Sequence, residues 1–390
     1  MTVRPGLEVL CGDRARLVRG ARVGLLAHPA SVDRDLRHAA ERLAEAGAEV
    51  VRLFAPEHGV TGGAQDMVPV AERRDPVTGL PVVSLYGETE ESLVPRPEHL
   101  ADLDALVVDL QDVGARYYTF AATAIRALAP CGAAGVRVIA CDRPNPLGGI
   151  PVEGNTVEPA FRSFVGELPV PQRHGMTIGE LLLFAARVRR IDVELEVIPC
   201  RGWHREDDFA GTGLPWVPPS PNMPTPDTAL VYPGTCLLEG TNLSEGRGTT
   251  RPFEIVGAPW LDPRALADAL AAEHLPGVRF RPLVFVPTFH KHAGTPCGGV
   301  QLHVFDPRAF RPVLTGLAVV IAARSLDPAR FAWRTEPYEF VADRPAFDLL
   351  AGTDAWRRRI EAGASPRDLA ATFPVHEAEQ RSRIAEYGLY

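Results

Sequence analysis

The sequence predicts an α/β fold, in which a Rossmann-like domain with a mostly parallel sheet is followed by a smaller α/β or α+β domain. In the first half of the chain, short apolar runs alternate with helix-length segments, which is the order of a doubly wound sheet. These runs are rich in Val, Ile and Leu without polar alternation, as in parallel strands buried on both faces. The length of 390 residues suits two or three domains of about 100–200 residues.

Six strands are predicted in the first domain, at residues 22–28, 50–57, 80–87, 105–112, 136–144 and 194–200. Helices are predicted between several of them, for example at 33–47 and 118–132, where apolar residues and alanines recur at helical spacing. A stretch dense in Pro, Gly and aromatic residues follows at 202–226. Because it is too long for an ordinary connector, it predicts a functional loop, a domain boundary, or both.

The second domain is predicted to combine helices and strands. Helices are expected at 227–240, 263–273, 308–324 and 355–362, and strands at 279–287 and 299–305. The sequence therefore predicts a Rossmann-like N-terminal domain over residues 1–226 and a smaller C-terminal domain over residues 227–390.

Composition and charge disfavour several classes of protein. The net charge is -8, from 49 acidic and 41 basic residues without long blocks of either sign, so no nucleic-acid or anionic-membrane surface is predicted. The six cysteines include no C-x-x-C pair, which disfavours zinc ribbons and thioredoxin-type sites. The longest apolar run is too short to cross a bilayer, and the first residues lack a signal-peptide core. A soluble cytoplasmic protein is expected as encoded, or a secreted or periplasmic one if a leader has been removed.

Polar side chains follow each of the first five predicted strands. They are His28 and Ser31; Glu57 and His58; Tyr86 and Glu88; Asp109, Gln111, Asp112, Arg116, Tyr117 and Tyr118; and Asp142, Arg143 and Asn145. The carboxyl ends of parallel strands lie at one edge of a sheet, where ligands bind. Any one of these residues could instead cap a helix or form a turn, but five such strand ends together favour a polar pocket.

Common cofactor and nucleophile motifs are absent from the sequence. The turn after the first strand, LLAHPASVD, has no G-x-G-x-x-G, and neither a P-loop nor a G-x-S-x-G motif is present. The triplet HKH at 290–292 lies near Cys297, but without a second cluster it suggests a solvated strand end rather than a zinc site. We therefore predict no metal and no other cofactor. His174 precedes a helix with Thr177 as its N-cap and Glu180 completing a capping box, so Glu180 is expected to be structural.

The remaining polar residues are carboxylates, arginines, amides and aromatics, which are the groups that usually bind sugars. Glycoside hydrolysis needs a carboxylic acid to protonate the leaving oxygen and a means to stabilise or trap the oxocarbenium-like centre. Glu57 suits the first role, because the end of an apolar strand offers the partial desolvation that favours a protonated carboxyl. The loop LLEGTNLSEGRGTT carries Glu239, Asn242, Glu245 and Arg247, and a partner carboxylate could come from it if the cleft lies between the domains.

These residues also carry a family resemblance. The sequence resembles the bacterial exo-β-N-acetylmuramidases, a family long catalogued as a domain of unknown function. The matching stretches run in order along nearly the whole chain: FAPEHGVTGG, TGLPVVSLYG, VVDLQDVGARYYTF, DRPNPLGG, SFVGELPVPQRHGMTIGE, WVPPSPNMPT, YPGTCLLEGTNLSEGRGTTRPFE and KHAGTPCGGVQLHVFD. Among them, EGTNLSEGRGTT and DLQDVGARYYT are long enough to be specific.

The resemblance implies a Rossmann-like domain, a smaller C-terminal domain and an active-site cleft between them. Characterised members release N-acetylmuramic acid from the non-reducing end of peptidoglycan fragments, without a nucleotide or metal cofactor. The Glu of the family's P-E-H-G motif, here Glu57, is implied as the catalytic carboxylate. Glu245 as the second catalytic group is our own prediction and is not carried over from the family.

The implied substrate suggests roles for the basic residues. N-acetylmuramic acid carries a lactyl carboxylate, for which a guanidinium group is the natural receptor. Arg116, Arg143 and Arg247 are the candidates, although a structural ion pair with Asp112 or Asp142 would explain each arginine equally well. The other predicted substrate contacts are a stacking tyrosine, three amides and four further polar side chains: Tyr117 or Tyr118; Asn145, Asn222 and Asn242; and His58, Asp112, His174 and Glu239.

Other functions remain compatible with these residues. One is a non-catalytic protein that binds muropeptides or sugars, although the intact Glu57 favours an enzyme. Another is a β-N-acetylhexosaminidase with a different sugar specificity. Within the muramidase hypothesis, the 2-acetamido oxygen of the substrate could itself attack the anomeric carbon, which would need no nucleophile from the protein.

Overall fold

A seven-stranded sheet forms the centre of the first domain. The computed structural model describes residues 2–65, 67–69 and 73–390. The strands are β1 (Arg22–Ala27), β2 (Glu49–Ala55), β3 (Arg73–Arg74), β4 (Pro81–Ser84), β5 (Ala105–Asp109), β6 (Arg137–Cys141) and β7 (Leu195–Ile198). Their order in the sheet is β3-β4-β2-β1-β5-β6-β7. The six longer strands are parallel, whereas β3 pairs with β4 in the antiparallel direction.

Helices surround this sheet and build most of the second domain. They are α1 (Gly6–Cys11), α2 (Ala39–Glu45), α3 (Pro97–Leu100), α4 (Thr119–Ala134), α5 (Ile178–Arg189), α6 (Phe209–Thr212), α7 (Pro226–Thr235), α8 (Pro263–Ala272), α9 (Pro312–Leu326), α10 (Ala346–Ala351), α11 (Ala355–Glu361), α12 (Pro366–Ala370) and α13 (Phe373–Tyr387). Short 3₁₀ turns lie at Ala15–Leu17, Glu90–Leu93, Pro159–Phe161, Phe164–Gly166 and Cys236–Gly240. In the part of the chain that the structure describes, no helix combines the length and hydrophobicity needed to cross a bilayer.

The second domain contains a three-stranded antiparallel sheet. Its strands are β8 (Ile255–Ala258), β9 (Val278–Phe285) and β10 (Cys297–Val304), in the order β8-β10-β9. Helix α9 crosses α7 in backbone contact, because a Cβ on Gly234 would lie 1.8 Å from the carbonyl oxygen of Pro312. A Cβ on Gly316 would lie 2.1 Å from the carbonyl oxygen of Gly234, so the crossing requires glycine on both helices. This contact positions α7, which leads directly into the loop that carries Glu239.

The predicted fold class is confirmed, with differences at the ends of elements. Helix α2 begins at Ala39 rather than at residue 33, because Leu36 adopts a left-handed φ of 63° and the His38 side chain caps the helix at the backbone N–H of Ala40. The predicted capping box of α5 is present, with Thr177 accepting from the Glu180 backbone and Glu180 accepting from the Thr177 backbone. The sequence did not predict β3, β8 or several short helices.

Candidate active site

The ends of the parallel strands meet at one edge of the large sheet, but only part of that edge faces a cavity. Next to β1 and β5, polar side chains bond to backbone groups of the neighbouring strand end instead. The backbone N–H of Gln111 donates to His28 Nε2 at 2.9 Å, and the hydroxyl of Ser31 donates to the carbonyl oxygen of Asp109. Burial lowers the pKa of His28 to about 3, so this imidazole is a neutral structural group.

An open cavity lies where both domains and the long loop meet, and its empty volume is about 410 Å³ when the part open to solvent is included. The first domain supplies Glu57, His58, Tyr117, Tyr118, Thr119 and Val165; the long loop supplies Ser220, Asn222 and Met223; and the second domain supplies Tyr232, Glu239, Arg247, Phe253, Tyr338 and Glu339. Seven of the residues singled out in the sequence are therefore brought together here: Glu57, His58, Tyr117, Tyr118, Asn222, Glu239 and Arg247.

Glu57 lies two residues beyond the end of β2 and is only 4% exposed. Its Oε2 accepts a hydrogen bond from the hydroxyl of Thr119 at 2.7 Å, and its Oε1 accepts one from the backbone N–H of Met67 at 3.2 Å. Because Thr119 is the first residue of α4, the carboxyl is held between a strand end and a helix start. The Glu57 side chain is thus oriented by the fold before any substrate is bound.

His58 follows Glu57 in a left-handed conformation with a φ of 69°. Its Nδ1 lies 2.9 Å from the carbonyl oxygen of Ala64, which favours the tautomer that carries its proton on Nδ1. The imidazole ring also packs edge-on against Phe120, with ring centroids 6.3 Å apart. A non-glycine residue in this conformation is uncommon and is maintained by its surroundings, so His58 is a rigid part of the cavity wall.

A second carboxylate, Glu239, lies in the wall contributed by the second domain. Its Oε1 accepts a hydrogen bond from Arg247 Nη2 at 2.7 Å, and its Oε2 accepts one from the Tyr338 hydroxyl at 2.6 Å. The guanidinium of Arg247 also lies over the ring of Phe253, 5.1 Å from its centroid. These contacts fix the orientation of Glu239 and Arg247 in the cavity wall.

Tyrosines and a phenylalanine form a continuous aromatic wall. Tyr232 packs edge-on against Tyr117, Tyr118 and Phe253, with centroid distances of 6.0, 5.9 and 4.8 Å. Burial raises the pKa of the Tyr118 hydroxyl and of the Tyr232 hydroxyl well above the usual range. Both therefore stay neutral, and they present apolar surface and hydroxyl groups rather than charge to the cavity.

Glu245 lies behind the cavity wall rather than in it. Its carboxylate is completely buried and is met by Lys291 Nζ at 2.9 Å, His290 Nδ1 at 3.2 Å and Arg247 Nε at 3.2 Å. Burial raises its pKa, but the charge of Lys291, the hydrogen bond with His290 and the charge of Arg247 outweigh burial and hold the pKa well below its usual range. Glu245 is therefore an ionised group that contacts Arg247. Its position behind the cavity wall disfavours direct contact with a substrate.

The other two candidate arginines are occupied by the protein itself. Arg116 donates to the carbonyl oxygens of Asn155, Val170 and Leu350 at 2.6, 2.9 and 2.7 Å. Burial lowers its pKa to about 10. These bonds tie the segment between β5 and α4 to α10, which favours a structural role for Arg116.

Arg143 forms a buried two-pronged ion pair. Its Nε and Nη2 lie 2.6 and 2.7 Å from the two carboxylate oxygens of Asp109, and Nη2 also donates to the carbonyl oxygen of Val32 at 2.8 Å. The sequence predicts either a substrate contact for Arg143 or an ion pair with Asp112 or Asp142. The structure shows that the partner is Asp109.

Four further candidates satisfy backbone groups outside the cavity wall. The amides of Asn145 and Asn242 each bond to two backbone groups. Asp112 accepts from the backbone N–H of Gly114 at 2.7 Å and lies 3.4 Å from His174 Nε2. These contacts explain why polar residues occur at these positions without requiring a substrate.

Several lining residues were missed by the sequence reasoning. Tyr338 and Glu339 come from a segment without a predicted element, where Glu339 adopts a left-handed φ of 46°. The Tyr86 hydroxyl donates to Glu339 Oε2 at 3.0 Å, joining the segment that follows β4 of the first domain to this segment. Thr119 lies within the family stretch VVDLQDVGARYYTF, but no local pattern distinguishes it from its neighbours.

The HKH triplet does not form a metal site with its neighbours. Among residues 2–65, 67–69 and 73–390, no group of three or more His, Cys, Asp or Glu side chains is placed to hold a metal ion. His290 faces Glu245, and His292 Nε2 lies 2.7 Å from the carbonyl oxygen of Asn242. The triplet therefore contacts the loop that carries Glu239 and Arg247.

The cavity combines buried carboxylates, an arginine and an aromatic wall at the place where two domains meet. These are the groups that a glycoside hydrolase uses, and the protein belongs to that class. The chain is a member of the exo-β-N-acetylmuramidase NamZ family. The model of the N-terminal domain of this family matches residues 23–227, and the model of its C-terminal domain matches residues 230–390.

Individual relatives agree with this assignment. The chain is 44% identical over 372 residues to the peptidoglycan β-N-acetylmuramidase NamZ of Bacillus subtilis (strain 168). The alignment covers 95% of this chain and 87% of that protein. Two crystal structures of DUF1343 family proteins from Bacteroides fragilis NCTC 9343 have TM-scores of 0.88 and 0.77, at 34% and 28% identity. Each covers 100% of this chain and 99% of the solved chain. The predicted family and the predicted exo-β-N-acetylmuramidase type of activity are confirmed.

Proposed function

We propose that the cavity releases N-acetylmuramic acid from the non-reducing end of peptidoglycan-derived fragments, with Glu57 as the general acid. The observation that carries this proposal is the position of Glu57, a buried carboxyl at the end of a parallel strand that lines the same cavity as Glu239 and Arg247. The name of the B. subtilis relative, a peptidoglycan β-N-acetylmuramidase, supports the choice of sugar.

Thr119 suits a neighbour of a catalytic acid. Its hydroxyl can donate to the ionised carboxylate of Glu57 or accept from the protonated carboxyl, because a hydroxyl is both donor and acceptor. Glu57 can therefore release its proton to the leaving oxygen without losing this contact. The same hydroxyl holds the carboxyl at one angle, and general acid catalysis depends on such positioning.

Glu239 is a better candidate than Glu245 for stabilising positive charge at the anomeric carbon. It lines the cavity, and Arg247 and Tyr338 each bond to one of its oxygens. Because both oxygens are engaged, electrostatic stabilisation suits Glu239 better than covalent attack. The 2-acetamido oxygen of the substrate or a water molecule is then left as the group that attacks.

Arg247 is the candidate receptor for the lactyl carboxylate. Arg247 lines the cavity. Arg116 is instead bonded to backbone carbonyl oxygens, and Arg143 is paired with Asp109. A lactyl group bound there would share the guanidinium with Glu239. Asn222, whose amide also bonds to Gln65 at 3.1 Å, is a neutral contact for the sugar hydroxyls or the acetamido group.

The test compares a chromogenic N-acetylmuraminide with the matching N-acetylglucosaminide. Glu57→Gln should lower turnover of the muraminide by about 10²–10⁴-fold, while calorimetry shows unchanged binding of N-acetylmuramic acid. Glu49→Gln, at the exposed start of the same strand, is the control and should keep full activity. Near-wild-type turnover by Glu57→Gln would refute the acid assignment.

The wild-type protein distinguishes the alternative functions in the same assay. Binding of N-acetylmuramic acid without turnover of either substrate would indicate a binding protein. Turnover of the glucosaminide alone would indicate a β-N-acetylhexosaminidase of another specificity.

A further inference from the structure

Lys291 is the only lysine among the 41 lysine and arginine residues of the sequence. It lies against residues 238–248, which we call the site loop. Its Nζ donates to the carbonyl oxygens of Leu238 and Leu243 at 3.0 Å each and to Glu245 Oε2 at 2.9 Å. Three acceptors around one nitrogen match the three donors of an ammonium group, whereas a planar guanidinium spreads its donors over a fork. The contact geometry thus accounts for a lysine in a chain that otherwise uses arginine.

The segment around this lysine, residues 288–292, is fastened to the site loop at further points, and we call it the clamp segment. The backbone N–H and the hydroxyl of Thr288 both donate to the carbonyl oxygen of Gly248 at 2.9 Å. His292 Nε2 lies 2.7 Å from the carbonyl oxygen of Asn242. The two histidines of the segment have positive φ values of 67° and 58°, a strained backbone that persists only where the surroundings hold it.

Glu245 connects Lys291 to the cavity wall. The ammonium lies 2.9 Å from Glu245 Oε2, and Glu245 Oε1 lies 3.2 Å from Arg247 Nε. Arg247 in turn donates through Nη2 to Glu239 at 2.7 Å. A chain of alternating charges therefore runs from Lys291 through Glu245 and Arg247 to Glu239.

We propose that Lys291 is a positioning residue, which acts through Glu245 to hold Arg247 and Glu239 in the geometry that the reaction needs. The inference rests on the proposed function of the cavity. Lys291 itself does not line the cavity, so its effect on the reaction passes through these neighbours.

The first test is Lys291→Met, which keeps the unbranched side chain up to the ε position and removes the charged ammonium group. We expect kcat/KM for the chromogenic muraminide to fall by about 10²-fold, the size of effect that a small misplacement of a catalytic group produces. Affinity for N-acetylmuramic acid, measured by calorimetry, should fall about tenfold because Arg247 loses its anchor. If the wild-type protein does not cleave the muraminide, the proposed function is refuted. The calorimetric measurement still tests the role of Lys291 in that case.

The pH profile separates positioning from a loss of stability. Among the residues that the structure describes, the charged and titratable groups that contact Glu245 are Arg247, His290 and Lys291. Without Lys291 the buried Glu245 takes up a proton at higher pH, so the acid limb of kcat/KM should move to higher pH in Lys291→Met. Adding Glu245→Gln should abolish that shift while the rate stays low.

A matched control removes a similarly buried cation elsewhere. Arg357 pairs with the buried Asp348 at 2.8 Å, and their side chains are 21% and 2% exposed. Lys291 and Glu245 are 16% and 0% exposed. Arg357→Met should lower Tm to a similar extent and leave kcat/KM and the pH profile unchanged.

Lys291→Arg keeps the charge and provides a second test if the methionine variant does not fold. It should restore the acid limb, because an arginine can still pair with Glu245, and it should recover only part of the rate. Wild-type kcat/KM and affinity in folded Lys291→Met would overturn the proposal. So would a reduced rate with an unshifted pH profile, because that result indicates a purely structural residue.

Discussion

Thr119 Oγ1 lies 2.7 Å from Glu57 Oε2, so the first residue of α4 bonds to the carboxyl that follows β2. The two residues are far apart in sequence, and they meet because both follow parallel strands at the same edge of the sheet. This hydrogen bond ties the geometry of the proposed acid to the packing of α4. It also makes a test possible that leaves Glu57 itself unchanged.

Thr119→Val should lower kcat for the muraminide by about tenfold or more, because a hydrogen bond to a charged group contributes about 1.5–3 kcal/mol. The substitution is nearly isosteric, so the cavity keeps its shape. Thr123→Val is the matched control, since Thr123 lies one turn along the same helix and bonds to the carbonyl oxygen of Thr119 at 3.1 Å. Steady-state kinetics of both variants decide the matter, and equal effects in the two would remove Thr119 from the site.

Arg247→Ala should reduce the preference for the muraminide over the glucosaminide by about tenfold or more, as expected when a charged hydrogen bond is lost. The reason is that the glucosaminide lacks the lactyl carboxylate that we assign to Arg247. Arg251→Ala removes a more exposed arginine from the neighbouring turn, where it pairs with Glu254, and should leave the ratio unchanged. The measurement is kcat/KM for both substrates, and an unaltered ratio in Arg247→Ala would contradict the assignment.

Asp142 gives a prediction about stability and pH. Burial raises its pKa to about 6, against the opposing hydrogen bond from the Thr177 hydroxyl. A carboxyl with a raised pKa binds its proton more tightly in the folded protein than in the unfolded chain. Its contribution to stability is therefore present below about pH 4 and lost as pH rises to about 6, by about 2–3 kcal/mol.

Asp142→Asn cannot ionise and should escape this loss. The Tm of the variant relative to the wild-type protein should rise between about pH 4 and pH 6 and stay constant above that range. Thermal melts of both proteins across this range are the measurement. Asp268→Asn, at an exposed carboxylate that pairs with Arg264, serves as the control. A difference that does not change with pH in Asp142→Asn would disprove the raised pKa.

Local patterns predicted much of the fold correctly. The parallel strands were recognised because a strand buried on both faces is a continuous apolar run, and the Thr177 capping box because its partners are three residues apart. Helix α2 was predicted too long, since periodicity does not show where the chain turns at Leu36. The strands β3 and β8 were not predicted, because they lack a strong hydrophobic period.

The polar residues show where sequence reasoning stops. Glu239 and Glu245 lie on one glycine-rich loop, and nothing within that loop indicates which of them lines the cavity. The clamp segment decides it, because Lys291 and His290 surround Glu245. Likewise, Arg116 was a reasonable substrate ligand until its partners were known, and one of these, Leu350, is more than 200 residues away.

By itself the sequence determined the parallel α/β sheet, the family and the candidacy of Glu57, because apolar runs, capping residues and long motifs are each encoded within a short stretch of chain. Only the tertiary structure decided which arginine, which carboxylate and which tyrosines line the cavity. The physical reason is that a buried polar group must be bonded to a partner. The partners of Arg116 are backbone carbonyl groups, whereas Arg247 lies in the cavity wall. Which of these outcomes an arginine has depends on the segments that folding brings next to it.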